Sequence, residues 1–258
     1  MTIAKRLALL TIVALIGMLV LGLFGLRQMS LIQDSLKFAN ENSIPSIQKV
    51  AEMEASYLRL RTQLLYHVAS HEPEKKAEYE KQIAASKHQL DQSLKDYVAL
   101  ISDDKDKQLL ENSQRLVLDY YAMADKVLAL SRANQSDEAR GTMVAGGTMV
   151  QQLLDNMNAH VKYNNDLAQV ESQKADAVYR SGLNFAIAML IGVSLITGTM
   201  GFLLQRHVSG SLQSMLQAFT RIEHDLDFTG RIPVTSRDEV GQAVIAFNRL
   251  IDRLQASF

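Results

Sequence analysis

Residues 183–204 read LNFAIAMLIGVSLITGTMGFLL, an apolar run relieved only by Asn184 and a few hydroxyls. About 20 such residues cover a hydrocarbon core of roughly 30 Å at 1.5 Å per residue. A helix is the form in which such a segment satisfies its own backbone in lipid. A second run of this kind, Leu7 to Leu26, is polar only at Thr11. It begins after Lys5 and Arg6, the charged start that a signal peptide also has. The run is longer than a usual signal core, and Leu23-Phe24-Gly25-Leu26-Arg27 lacks a small-x-small cleavage site. Both runs are therefore expected to be transmembrane helices, at 7–26 and 183–204. Lys5 and Arg6 should keep residues 1–6 cytoplasmic. The segment 27–182 then lies outside, and the chain returns to the cytoplasm at Gln205-Arg206.

The outer segment reads as four helices. The first runs from about Met29 to His71, with an apolar stripe of Ile44, Ile47, Ala51, Leu58, Leu65 and Ala69 that predicts its core face. Pro45 interrupts its hydrogen-bond ladder. Pro73 suits the first turn of the second helix, which runs to about Ile101. Ser102-Asp103-Asp104 supplies a turn with capping side chains. The third helix ends near Ala133, Asn134-Gln135-Ser136-Asp137 turns the chain, and the fourth runs from about Glu138 to Arg180. Short turns force antiparallel neighbours, hence an up-down-up-down four-helix bundle. The long first and fourth helices, at about 40 residues or roughly 60 Å each, could carry a displacement along their length.

Two heptad stripes follow the second apolar run. Leu212, Met215, Phe219, Ile222 and Leu226 form one; Val240, Val244, Phe247, Ile251 and Leu254 form the other. A connector of about Asp227 to Arg237 joins them, with Ile232 and Val234 placed to tuck inward. Neither helix buries its stripe alone, so a dimer making four parallel helices is expected. The fold class is thus all-α throughout.

The 258 residues carry a net charge of −1 without a basic block, which argues against a nucleic-acid partner. The absence of cysteine excludes disulfides, thiolate metal sites and a cysteine nucleophile. There is no Gly-rich phosphate loop and no HExxH, so no catalytic residue and no cofactor is expected. His67 and His71 lie four apart on one helix face, but such a pair reads as solvated surface histidines and not as a metal site.

A ligand pocket is expected well along the bundle. Arg59 and Arg61 lie about ten residues below the end of the first helix, at the level of Gly146, Gly147 and Thr148 in the fourth and of Tyr120 to Met123 in the third, by helical rise. Mid-helix glycines cost about 1 kcal/mol each and suggest close approach or room for a ligand. Arginine forks hold carboxylates. Arg59 and Arg61, with Tyr120, Tyr121, Thr148 and Gln151, are therefore expected to bind a small anion, an organic acid or amino acid.

Asp238-Glu239-Val240-Gly241, followed by Phe247-Asn248, resembles the second-helix signature of HAMP domains, so 205–258 is identified as one. In that family Glu239 would cap or brace the second helix, and Gly241 would serve close packing. Two family features are missing: Ser209-Gly210-Ser211-Leu212 replaces the usual proline, and His224-Asp225-Leu226 the usual glycine. With its two spans and bundle, the chain resembles the front half of a bacterial methyl-accepting chemotaxis receptor. That resemblance implies a homodimeric inner-membrane receptor with a periplasmic sensor. It would act on a chemotaxis kinase and coupling protein through a helical hairpin beyond Phe258. The same front end also serves histidine kinases and cyclic-dinucleotide enzymes. A ligand-free structural coiled coil is the third reading.

Overall fold

The computed structural model describes residues 2–225 and 229–256. Helix α1 spans Ile3–Phe38, α2 Ile44–Ala69, α3 Pro73–Tyr97, α4 Asp104–Arg132, α5 Ser136–Ala145, α6 Gly147–Asp225 and α7 Glu239–Gln255. No strand occurs among the described residues. The chain divides into two compact units, Ser30–Val178 and the remainder, Met1–Met29 with Tyr179–Phe258.

Within the first unit, α2, α3, α4 and the α5–α6 pair enclose one core. Val50, Met53, Tyr57, Leu60 and Leu64 of α2 meet Leu90 and Tyr97 of α3, Val117, Tyr120 and Val127 of α4, and Leu153 and Met157 of α6. The expected core stripe of α2 is on the wrong face. Ile44, Ala51, Leu58, Leu65 and Ala69 are exposed, and the buried line is Ser43, Ser46, Val50, Met53, Tyr57, Leu60, Leu64 and His67. The inward line keeps the 3,4 spacing but carries serines, a tyrosine and a histidine, so hydropathy pointed to its neighbour.

Pro45 acts just upstream of its own position. Having no N–H, it cannot continue the i→i−4 ladder, and Ala39–Ser43 widens into a π-turn in which Ile44 N donates to Ala39 O. Asp103 caps α4 by accepting from the N–H groups of Lys105 and Asp106, both at 2.9 Å. At the far end of α4, Asn134 adopts φ 60°, and Gln135 N donates to Leu130 O while Asn134 N donates to Ser131 O. This pair of bonds is a Schellman closure with asparagine in the left-handed position. The fourth bundle helix is also not continuous: α5 ends at Ala145, Gly146 is a turn residue, and α6 begins at Gly147.

In the second unit, the apolar portions of α1 and α6 are long and apolar enough to cross a membrane. They run antiparallel with small residues between them. A Cβ on Gly17 would stand 2.6 Å from Val193 Cγ2, a Cβ on Gly201 would touch Leu10, and Phe24 stacks on Phe185 at 4.0 Å. The C-terminal part of α6 packs on α7 through Met215, Ala218 and Ile222 against Val244, Phe247 and Ile251. Leu212 and Phe219 of the first seam stay more than half exposed. Ile232 tucks in as expected, whereas Val234 is exposed. Leu226 of that seam, Asp227 of the connector and Phe258 lie outside the described residues.

Candidate functional site

The six residues expected to form an anion pocket do not converge as a set. Arg59 turns toward α3, where its Nη2 donates to Ser56 Oγ at 3.0 Å and Gln89 Oε1 at 3.1 Å. The grooves beside it, one of about 320 Å³, are lined by α2 and α3 and include none of the other five. Tyr121 also faces α3: its hydroxyl donates to Asp91 Oδ1 at 3.0 Å, and Lys87 sits over its ring. Gln151 donates to Asp155 one turn along α6, and Thr148 is exposed.

Arg61 and Tyr120 do share a neighbourhood. Tyr57 and Tyr120 meet edge to face at 4.9 Å in the core, and neither hydroxyl has a partner among the described residues. Burial pushes the Tyr57 phenol up to about 12 and raises Tyr120 as well, while the Arg61 guanidinium pulls both down. Gly146 lies at this level, since a Cβ there would come 3.4 Å from Met123 Cε, whereas Gly147 faces open space.

Sequence reasoning missed two buried polar layers. At one end of the bundle Asp106 of α4 is fully buried and accepts four bonds. These come from His160 Nε2 at 2.6 Å, Tyr97 OH at 2.7 Å, and Ser102 N and Oγ at 3.0 and 3.1 Å. Asn164 Nδ2 then donates to Tyr97 OH at 2.8 Å. At the other end His67 is buried against Ser131 and Glu80, not solvated. The spacing of Ser43, Ser46 and His67 on the Val50–Leu64 line was the available signal for both. No cluster of metal-ligating side chains occurs among the described residues.

The segment that follows the second apolar run is built around Asp238, which is 2% exposed. Its carboxylate accepts from Ser236 Oγ at 2.5 Å, Gly241 N at 3.2 Å and His207 Nε2 at 2.9 Å. The Ser236 hydroxyl, together with these other donors, holds its carboxyl well below the usual carboxylate range against the effect of burial. Asp238 is thus the cap of α7. Glu239 Oε2 instead accepts from Ile3 N at 2.7 Å, meeting the first turn of α1. Asn248 clamps the connector: Ile232 N donates to its Oδ1 at 3.0 Å, and its Nδ2 donates to Ile232 O at 2.8 Å.

A family model described as a four-helix-bundle sensory module for signal transduction matches residues 1–179, and one for the HAMP domain matches 203–256. The chain therefore belongs to the family of four-helix-bundle sensory modules for signal transduction, and its C-terminal part is a HAMP domain. It is 24% identical over 167 residues to the sensory transducer protein YvaQ of Bacillus subtilis, covering 64% of this chain and 29% of that protein. It is 22% identical over 160 residues to a sensory transducer protein of Acetivibrio thermocellus, covering 62% of this chain and 28% of that protein. Over 72 residues it is 40% identical to the methyl-accepting chemotaxis protein McpA of Pseudomonas putida, covering 28% of this chain and 11% of that protein. The aligned parts thus span under a third of each relative.

Proposed function

We propose that the chain is the sensory half of a transmembrane chemoreceptor that binds a small carboxylate, an organic acid or amino acid, in its bundle. The observation that carries this reading is the pair of buried, partnerless hydroxyls of Tyr57 and Tyr120, on both of which the Arg61 guanidinium acts electrostatically. A bound carboxylate would give all three donors a charge-assisted acceptor. Arg59, Tyr121, Thr148 and Gln151 then lie outside the first ring of contacts. On this reading 7–26 and 183–204 are the spans, 27–182 is a periplasmic sensor in an inner-membrane receptor, and 205–258 is the relay. Ligand favouring one packing of the bundle biases α6 and hence the HAMP helices. Output passes to a chemotaxis kinase and coupling protein. Calorimetry on the full chain in nanodiscs, with a panel of carboxylates and amino acids, tests the site. Arg61→Ala is expected to weaken binding at least tenfold, and equal binding by the variant would remove the assignment.

The exposed stripe of α2 supports a homodimer. Ile44, Ala51, Leu58 and Leu65 recur every seven residues, with Ala55 and Thr62 between them and Ala69 after, all exposed. This is a coiled-coil seam facing away from its own core. Leu58→Arg is expected to shift the receptor toward monomer in analytical ultracentrifugation, and an unchanged dimer would place the contact elsewhere.

A further inference from the structure

Helices α2, α3 and α4 meet around His67, whose ring is fully buried. Its Nε2 lies 3.1 Å from Glu80 Oε1, and its Nδ1 lies 2.9 Å from Ser131 Oγ. Ser131 Oγ is also 3.2 Å from the carbonyl oxygen of His67. Arg132 grips Glu80 with Nε and Nη2 at 2.7 and 2.9 Å. Lys76, itself buried, donates to Ser131 O and Asn134 Oδ1. The charged groups that act on the ring are Glu80 and Lys76 of α3 and Arg132 of α4.

This geometry satisfies the imidazole in two protonation states. When neutral, it donates from Nε2 to Glu80 and accepts the Ser131 hydroxyl at Nδ1. With a second proton, Nδ1 donates to Ser131 Oγ, and the Ser131 hydrogen turns to the His67 carbonyl. A rotation of one hydroxyl accommodates the change, and no polar atom loses a partner. The change in charge is not neutral. Acid places a third cation, after Lys76 and Arg132, around the one carboxylate of Glu80. Lys76 holds Ser131 O in the last turn of α4 and Asn134 in the turn that leads to α5, so repulsion at the ring bears on that turn.

We propose that this junction is a proton-binding site through which acidity acts on the sensory bundle as a stimulus separate from the carboxylate ligand. Burial, with Lys76 and Arg132, lowers the His67 imidazole below its ordinary value against the opposing pull of Glu80. A depressed histidine stabilises the fold fully above its unfolded value of about 6.5 and loses that contribution as pH falls through the folded value. Acid therefore loosens the junction and the α4–α5 turn.

The test uses the full chain in nanodiscs with histidines selectively labelled with carbon-13. One resonance, missing from His67→Gln, is expected to titrate below the free-imidazole range. Amide protection of residues 130–139 should fall about tenfold along the same curve and stay flat in His67→Gln. Lys76→Met removes one repelling cation and should raise the midpoint, an arm that holds even where His67→Gln folds poorly. A His67 resonance unmoved between pH 8 and 4.5, a protection change that persists in His67→Gln, or an unmoved midpoint in Lys76→Met overturns the proposal.

Discussion

Replacing Gly241 with alanine is expected to unseat α7 while leaving the bundle's own unfolding untouched. A Cβ at Gly241 would stand 1.9 Å from the Ser236 carbonyl oxygen and 2.7 Å from its carbonyl carbon. Both are backbone atoms, so no side-chain rotation relieves the overlap. Moving Ser236 pulls its hydroxyl from Asp238, whose carboxylate caps α7 and also accepts from His207. One methyl group thus breaks the cap and the α6 contact together. A cost above about 3 kcal/mol follows from forced overpacking and loss of the cap. Amide exchange on the full chain should show residues 232–251 losing protection, with 50–70 unchanged. Gly210→Ala is the control: a Cβ there meets nothing within 4 Å, in the middle of α6. It should be neutral or gain up to about 1 kcal/mol from helix propensity. Equal protection in the two variants would show that Gly241 serves something other than this packing.

That crowding was legible in the sequence only as a motif; its cause, the Ser236 carbonyl, is a property of the connector's path. The apolar runs were readable because length and charge-free composition suffice to mark a span. The four bundle helices were readable because Pro73, Asp103 and Asn134 punctuate them. What failed was the choice of face on α2. Two stripes run along that helix at the same spacing, and the more apolar one, through Leu58 and Leu65, points outward. The rule that apolar residues face their own core does not hold for α2, whose second stripe is exposed on the single chain. The inward stripe carries Ser43, Ser46, Tyr57 and His67, polar side chains that hydropathy does not assign to a core. The partners that hold His67, Glu80 of α3 and Ser131 of α4, lie on other helices and leave no local trace in the sequence. The expected anion site divided for a related reason. Residues at one level of a bundle share a height, but side-chain direction decides whether they meet. Arg59 and Arg61, two apart, point about 200° away from each other around the helix. Arg59 reached α3, and Arg61 went to another side of the helix.

The larger loss of stability is expected from Asp106→Ala. Its carboxylate is fully buried and accepts from His160, Tyr97 and Ser102, drawing α3, α4 and α6 together. Removing it leaves the Tyr97 hydroxyl, the Ser102 N–H and the His160 imidazole buried without their acceptor. Leaving a buried donor without its acceptor costs about 1–3 kcal/mol, so several together cost about 3–5 kcal/mol. For a domain of this size that is a fall in Tm of roughly 10 °C, at about 2–4 °C per kcal/mol. The near-ultraviolet signal of the buried tyrosines reports it directly, since the chain has no tryptophan. Asp104→Ala, on the exposed side of the same helix start, should stay within about 0.5 kcal/mol of the parent. Acid provides a second arm. Burial raises the Asp106 carboxyl, but the His160, Tyr97 and Ser102 donors outweigh it and bring the group down to about 2. A carboxylate depressed in the fold contributes stability that is complete above its unfolded value near 3.9 and lost as pH falls toward 2, roughly 2–3 kcal/mol here. The parent should therefore show a steep loss of Tm between pH 4 and 2, and Asp106→Ala a shallower one. A variant that melts with the parent would mean the three donors find other acceptors, and the layer would no longer be what fixes α6 against α4.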